Sequence, residues 1–438
     1  MMEDKKLDGL LMDVVVGADV KKKEIAINEI WSEAHKKGVY PASIHDLYRA
    51  RGEGKWHGFS VPAINLRSLT YDLARAIFRE AKKINASAFI FEIARSEMGY
   101  TDQKPLEYST VILAAALREG HQGPIFIQGD HFQVNAKKYK ENPKAEVDGL
   151  KKLIKESIEA GFYNIDIDSS TVVDLEQQDL LAQQKLNSEI CADLTAYIRG
   201  LQPKGVNVSV GGEIGEVGSK NSTPEDLRAF MKLYQENLPK GVEGITKISV
   251  QTGTSHGGVV LPDGSIASVS LDFETLRIIS EVARKEYAMA GAVQHGASTL
   301  PENAFHKFPE VETAEVHLAT QFQNMIFDSK FFPSDLKKKI YDWLKVEAKN
   351  ELKPGMTDDQ FFYKSRKKAL GPFKKEIMNI ADREKISSEV EEKFAFLFGQ
   401  LKLKDSADVV KKYIKENNVV RKFELLHDKR AEHFEGDD

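Results

Sequence analysis

The stretch Ile125-Phe126-Ile127-Gln128-Gly129-Asp130-His131 decides how the chain is read. An apolar run of strand character stops at a glycine, and an Asp–His pair follows at once. A buried strand ending in groups that bind metal and move protons is how a parallel barrel builds a site. Two later stretches share the form: Ile248-Ser249-Val250-Gln251-Thr252-Gly253-Thr254-Ser255-His256-Gly257-Gly258 and Ala292-Val293-Gln294-His295-Gly296-Ala297-Ser298-Thr299. Each is an apolar run followed by a histidine beside Gly and hydroxyl residues.

Working outward, eight apolar runs alternate with helical stretches. The strands read as 59–65, 86–93, 124–129, 163–168, 206–210, 244–251, 289–294 and 313–318. Helices are expected over 68–84, 106–119, 142–160, 175–199 and 272–285, with a further helix entered at Ser222-Thr223-Pro224-Glu225, which has a capping hydroxyl, an early Pro and first-turn acids. Such alternation predicts parallel βα units, and eight strands close a barrel. The competing arrangement is an open doubly wound sheet. The expected organisation is α/β: an N-terminal helical extension over 1–57, a (β/α)8 (TIM) barrel over 58–330, and C-terminal helices over 331–438. Those last helices are rich in Lys and Glu, Thr357-x-x-Gln360 fits a capping box, and no Gly/Ser or Pro-rich linker precedes them. They are expected to pack on the barrel or between subunits.

Composition narrows the function classes. The chain has 438 residues, 41% hydrophobic and 29% charged, which is enough to bury a large core. A formal net charge of -5 gives no reason to expect a nucleic-acid partner. The single cysteine, Cys191, excludes an internal disulfide framework and suits a reducing cytoplasm. No apolar run is long enough to span a bilayer, so no membrane association is expected.

In a barrel, residues at the C-terminal ends of strands face the active site. That rule gathers Asn65, Asp130, His131, Asp168, Ser169, Glu213, His256, His295, His317 and Thr320 on one face. One histidine near a strand end is more often a satisfied polar residue than a ligand. Three at equivalent positions point to a divalent metal with an open coordination place, zinc by default. His35, His45, His57, His306, His427 and His433 fall in helical or loop contexts and read as solvated. Gly296, Ser298 and Thr320 lie in the loops where such barrels hold phosphate, and Gly257 and Gly258 add backbone N–H groups. Metal beside phosphate suggests a substrate with a carbonyl and a phosphoryl group. Asp130 is the first candidate for moving a hydroxyl proton; its alternative role is to orient a metal ligand.

At these residues the sequence resembles the class II, zinc-dependent ketose-bisphosphate aldolases (fructose- and tagatose-bisphosphate aldolases). The matching stretches are Val61-Pro62-Ala63-Ile64-Asn65, Gly129-Asp130-His131, Ile165-Asp166-Ile167-Asp168-Ser169-Ser170, Gly212-Glu213-Ile214-Gly215, Gly253-Thr254-Ser255-His256-Gly257, His295-Gly296-Ala297-Ser298 and 316–323, in the family's order. The resemblance implies His131, His256 and His295 as zinc ligands, with Glu213 near the metal at an alternative position. It implies Asp130 as acid/base toward the substrate hydroxyl, and Glu216 as the acidic proton-transfer residue of the loop after strand 5. Gly257, Gly296, Ser298 and Thr320 would hold phosphate, and Asn65 and His317 would contact substrate. A monovalent cation near the phosphate, a phosphorylated sugar substrate, a homodimer and a cytoplasmic place in glycolysis are further family traits. The implied reaction is reversible cleavage of a ketose 1,6-bisphosphate, fructose 1,6-bisphosphate first, to dihydroxyacetone phosphate and glyceraldehyde 3-phosphate. The alternatives are a tagatose-bisphosphate or other phosphorylated-ketose aldolase, and a non-catalytic barrel supporting an aldolase partner. Two departures stand out: the family's usual Asn and Asp after strand 8 are His317 and Ala319 here.

Overall fold

The computed structural model describes residues 3–215, 220–253 and 271–425. Nine strands form one all-parallel sheet among these residues: β1 (Val39–Ala42), β2 (Val61–Asn65), β3 (Ile90–Ala94), β4 (Gly123–Gln133), β5 (Asn164–Asp168), β6 (Ser209–Glu213), β7 (Lys247–Val250), β8 (Ala292–Gln294) and β9 (Glu315–Leu318). Their order is β1-β4-β3-β2-β9-β8-β7-β6-β5, and β4 also pairs with β5, which closes β2 to β9 into a (β/α)8 barrel. The eight strands read from the sequence are β2 to β9.

The strands are shorter than their apolar runs. The sixth run begins at Gly244, whereas β7 spans only Lys247–Val250. The fifth is displaced: Val206 and Val208 are buried below the ladder, and β6 runs on to Glu213. Glu213 therefore ends a strand. β4 is the long one, with 11 residues. Its first half pairs with β1, Gly123–Phe126 against Val39–Ala42, and its second half with β5. β1 was not expected in the 1–57 extension. Four residues including Pro41 make a weak signal, and an edge strand tolerates the missing N–H of a proline.

Helices follow the strands at Thr70–Lys83, Pro105–Arg118, Pro143–Glu159, Leu180–Leu201, Pro224–Asn237, Phe273–Tyr287 and Thr320–Asp328. Only short helical pieces join β8 to β9. Thr223 caps Pro224–Asn237 in a capping box closed by Asp226, and Thr357 and Gln360 close another. No helix among the described residues is long and apolar enough to cross a membrane.

The helix His45–Gly52 meets the N-terminal end of the barrel. His45 Nε2 lies 2.8 Å from Glu243 Oε1, and Arg51 donates to the carbonyls of Phe59 and Thr313. His45 is 1% exposed, which corrects its reading as a solvated histidine. Sequence context could not reveal that Glu243, almost 200 residues away, would meet it. Tyr48, on the same helix, donates its hydroxyl to Glu315 on β9 inside the barrel.

After the barrel, the helix Arg383–Gln400 packs on Thr70–Lys83 through Arg75–Glu384 and Arg79–Glu391, with Phe398 stacked on Phe89. Past the Thr357 capping box, the C-terminal stretch is broken into short helical pieces around Gly371-Pro372. Asp72, in the first turn of Thr70–Lys83, is buried against Arg383 at 3.3 Å. Burial raises its pKa to about 6, with Arg383 pulling the other way. A carboxyl whose pKa is raised on folding adds stability while protonated and loses it as pH rises through the folded value. Asp72→Asn is therefore expected to gain on wild type between pH ~4 and ~6 and to be more stable at pH 7.5 by about 2–3 kcal/mol, at 1.36 kcal/mol per unit. Urea denaturation at pH 4.5 and 7.5 checks the sign.

Candidate active site

The C-terminal end of β4 sets the site. The ladder shifts register between Gly129 and Phe132, and His131 takes a left-handed φ of 40°. A β-bulge re-aims a side chain, and strain of this kind costs on the order of 1–3 kcal/mol. A Cβ on Gly129 would lie 2.4 Å from the Phe132 ring, so the close pass of that ring requires glycine. The bulge brings His131 beside residues from β6, β8 and β9.

Asp130 Oδ1 is the common neighbour. It lies 2.9 Å from His131 Nδ1, 3.2 Å from His317 Nδ1 and 3.6 Å from His295 Nε2. On the other side, His131 Nε2 and His295 Nδ1 each lie 3.9 Å from a Glu213 oxygen. The His131 and His295 rings are 4.1 Å apart, and those of His295 and His317 are 4.2 Å apart. Burial opposes every charge here, so the partners decide each sign. Burial would raise Asp130, but His131 and His317 hold it well below the usual carboxylate range. Burial would lower His131, but Asp130 raises it well above ordinary histidine. His295 is pushed down by burial and by both neighbouring imidazoles. Glu213 is pushed well up by burial and by Asp168.

The donors fit a divalent ion. Single ligand atoms of His131, Glu213 and His295 lie within 4.8 Å of one another. Asp130 beside His131 Nδ1 leaves Nε2 facing Glu213, as in carboxylate–histidine–metal arrangements.

Below this end the barrel interior is polar. Lys247, 1% exposed, donates to Asp166 Oδ2 at 2.8 Å, to Gln128 Oε1 at 2.7 Å and to Glu315 Oε1 at 2.5 Å. Gln128 Nε2 donates to Glu92 at 3.1 Å and Glu315 at 2.9 Å. His317 Nε2 lies 2.7 Å from Glu315 Oε1, and its Nδ1 lies 3.1 Å from Glu92 Oε2. Burial and the Asp130 charge push Glu92 up to about 7, and burial lifts Asp166 to about 6 against the pull of Lys247. Gly211 makes room for this layer, since a Cβ there would lie 2.4 Å from Asp166 Oδ1 and 2.9 Å from Lys247 Cε. No single stretch of the sequence displays this layer. Its signal was a charge at alternate positions in apolar strands, as in Ile90-Phe91-Glu92-Ile93, where one face of a strand looks into the barrel.

The structure brings Asp130, His131, Glu213, His295 and His317 together. Gly296 has φ 68° and opens a turn from which Ser298 Oγ accepts the Ala319 N–H at 2.6 Å. Thr320 is the first residue of Thr320–Asp328, so Gly296, Ser298 and Thr320 lie at the adjacent loops after β8 and β9. Asn65 is engaged elsewhere: its Nδ2 donates to Glu97 at 2.6 Å, and its Oδ1 accepts from Arg67 at 3.2 Å. His317 is turned inward against Glu315, Glu92 and Asp130. His256, Gly257, Gly258 and Glu216 lie outside the described residues.

Two solved structures with TM-scores above 0.5 share this architecture at low identity. A protein described as a probable tagatose 6 phosphate kinase from Sinorhizobium meliloti is 14% identical, with a TM-score of 0.54 over 80% of this chain and 100% of its own. The fructuronate-tagaturonate epimerase UxaE from Cohnella laeviribosi is 12% identical, with a TM-score of 0.52 over 90% and 86%. The fructose-bisphosphate aldolase Fba from Campylobacter jejuni is 15% identical, with a TM-score of 0.48 over 84% and 98%. Among curated proteins no significant match is found. The family model of class-II fructose-bisphosphate aldolases matches residues 50–393, which include the whole closed barrel and every residue of the site, and the chain belongs to that family.

Proposed function

We propose that the protein is a metal-dependent aldolase that reversibly cleaves a ketose 1,6-bisphosphate, fructose 1,6-bisphosphate first and tagatose 1,6-bisphosphate second. The observation that carries this reading is the convergence of Asp130, His131, Glu213 and His295 at one end of the barrel, within a chain of the class-II aldolase family. His131, His256 and His295 would hold the ion, zinc by donor chemistry, with Glu213 beside it. A divalent ion there supplies Lewis acidity toward the substrate carbonyl.

The chain's own groups do the rest. The Asp130 carboxylate, kept ionised by its imidazole neighbours, takes the proton of the C4 hydroxyl as the C3–C4 bond breaks. The electron pair of that bond passes toward C2, and C4 leaves as the aldehyde carbon. Glu216 would carry the proton exchanged at C3. Gly296, Ser298 and Thr320, at a turn and a helix N-terminus, suit the phosphate of the dihydroxyacetone-phosphate half, with Gly257 and a monovalent cation beside it.

The second reading, a non-catalytic partner of an aldolase, draws on His317 and Ala319 in place of the family's usual Asn and Asp. One experiment separates them. Metal analysis of the purified protein is expected to give bound zinc, and a retro-aldol assay to give cleavage that EDTA abolishes. His295→Ala is expected to lose at least ~10²-fold in kcat/KM. A protein that carries no divalent metal and cleaves neither bisphosphate overturns the proposal.

A further inference from the structure

The geometry points to a second, deeper divalent-cation position, held by Asp130 Oδ1, His295 Nε2 and His317 Nδ1. One ligand atom from each residue lies within 4.8 Å of the others, Asp130 Oδ1 stands 3.2 Å from His317 Nδ1 and 3.6 Å from His295 Nε2, and the residues are 5%, 6% and 4% exposed. Asp130 Oδ1 and His317 Nδ1 are shielded from solvent, and neither makes a well-aligned hydrogen bond. The polar atoms nearest them are His131 Nδ1, 2.9 Å from Asp130 Oδ1, and Glu92 Oε2, 3.1 Å from His317 Nδ1, and the two shielded atoms lie 3.2 Å from each other. Buried polar atoms left so are rare, and an absent ion is one of the standard explanations.

The surroundings are those of a metal-binding histidine. A ligating imidazole usually gives its other ring nitrogen to a carboxylate. His317 Nε2 meets Glu315 Oε1 at 2.7 Å, and Glu315 is itself fixed by Lys247, Gln128 and Tyr48. That saturation also decides against a neighbouring set, Glu92, Glu315 and His317, because Oε1 of Glu315 already accepts three donors and Oε2 accepts Tyr48. Glu92, Asp130, Asp166 and Glu315 are buried beside Lys247 and the imidazoles of His131 and His317, so a cation here would take the place of imidazole protons among these carboxyl groups.

The deeper position lies on the opposite ring nitrogen of His295 from the one facing Glu213. It is therefore distinct from the position of His131, Glu213 and His295, and filling both would make His295 an imidazolate bridge, with release of its remaining ring proton to solvent. It exists because His317, on β9, stands 3.2 Å from Asp130 Oδ1. It also engages Asp130, so an ion there and proton transfer by Asp130 exclude each other. The inference rests on reading the Glu213 side as the reactive position.

The test is ion stoichiometry. Metal-free protein is titrated with Co2+ by calorimetry and visible absorption. Wild type is expected to take two equivalents, and His317→Asn one. Glu315→Gln, which keeps size and removes the carboxylate behind His317, is expected to weaken the second equivalent by about 10–100-fold. His131→Asn is expected to lose the outer equivalent and keep the deeper one. A single equivalent in wild type, or a second equivalent unchanged in both His317→Asn and Glu315→Gln, overturns the inference and leaves His317 as an imidazolium clamped between carboxylates. Cleavage is not the readout, so that failure leaves the aldolase reading standing.

Discussion

Asp130→Asn is expected to lower kcat for retro-aldol cleavage by about 10³-fold while weakening retention of the ion on the Glu213 side far less. The two effects come from different atoms of the same site. A carboxylate that moves the hydroxyl proton contributes typically 10²–10⁴-fold, and an amide cannot replace it. Asp130 sits at the meeting point of three imidazoles, 2.9 Å from His131 Nδ1, 3.2 Å from His317 Nδ1 and 3.6 Å from His295 Nε2. Asn keeps its size and an oxygen that can still face His131 Nδ1, so the ion on the Nε2 side should stay within about 10–100-fold of its wild-type affinity. Parallel measurement of kcat and of bound zinc separates these effects. Were Asp130→Asn to lose zinc and activity in proportion, Asp130 would be a support for His131 and not the acid/base. Were kcat to fall less than about tenfold, another group would carry the proton.

Lys247→Met is expected to cost about 3–5 kcal/mol of stability, the usual penalty for removing one partner of a buried ion pair. Lys247 is fully enclosed, and its ammonium touches Asp166, Glu315 and Gln128 at once. Methionine fills similar space but leaves the carboxylates of Asp166 and Glu315 with no ammonium. They would then take up protons, so the loss should be smaller at pH 5 than at pH 8. Replacing Glu315 by Gln in the same chain removes one stranded charge and should recover part of the loss, since neighbouring sites couple. Urea denaturation of the two variants at both pH values makes the comparison. A cost under about 1 kcal/mol would mean that water or a shifted carboxyl proton already screens this layer.

These two residues were legible to different degrees. Asp130 ends an apolar run at a glycine, a local pattern that one stretch of sequence displays. Lys247 also stands in an apolar strand, but nothing near it in sequence names Asp166, Gln128 or Glu315 as its partners. Period-two alternation says that one face of each strand is polar; it does not say which strands lie opposite one another across a closed barrel. His317 shows the same limit. Its place at the end of the eighth strand was readable, and it suggested a substrate contact, whereas the fold turns it toward Glu315, Glu92 and Asp130. His45 looked solvated in a short helix, and it is buried because that helix meets the barrel floor at Glu243.

What the sequence determined by itself was the repeating unit: eight apolar runs alternating with helical stretches, and an acid or histidine at the end of the third, fifth and seventh. Hydrophobic period and capping chemistry are local, so they survive in one dimension. What only the tertiary structure decided was the site's inner half. The bulge that turns His131, the buried Lys247 layer, and the placing of Asp130 between two sets of imidazole nitrogens all depend on closure of the barrel, β4 onto β5, which brings together side chains as far apart in sequence as Glu92 and His317. Contacts at that separation are fixed by packing and by the cost of burying a charge without its partner, and neither is written in any single stretch of the chain.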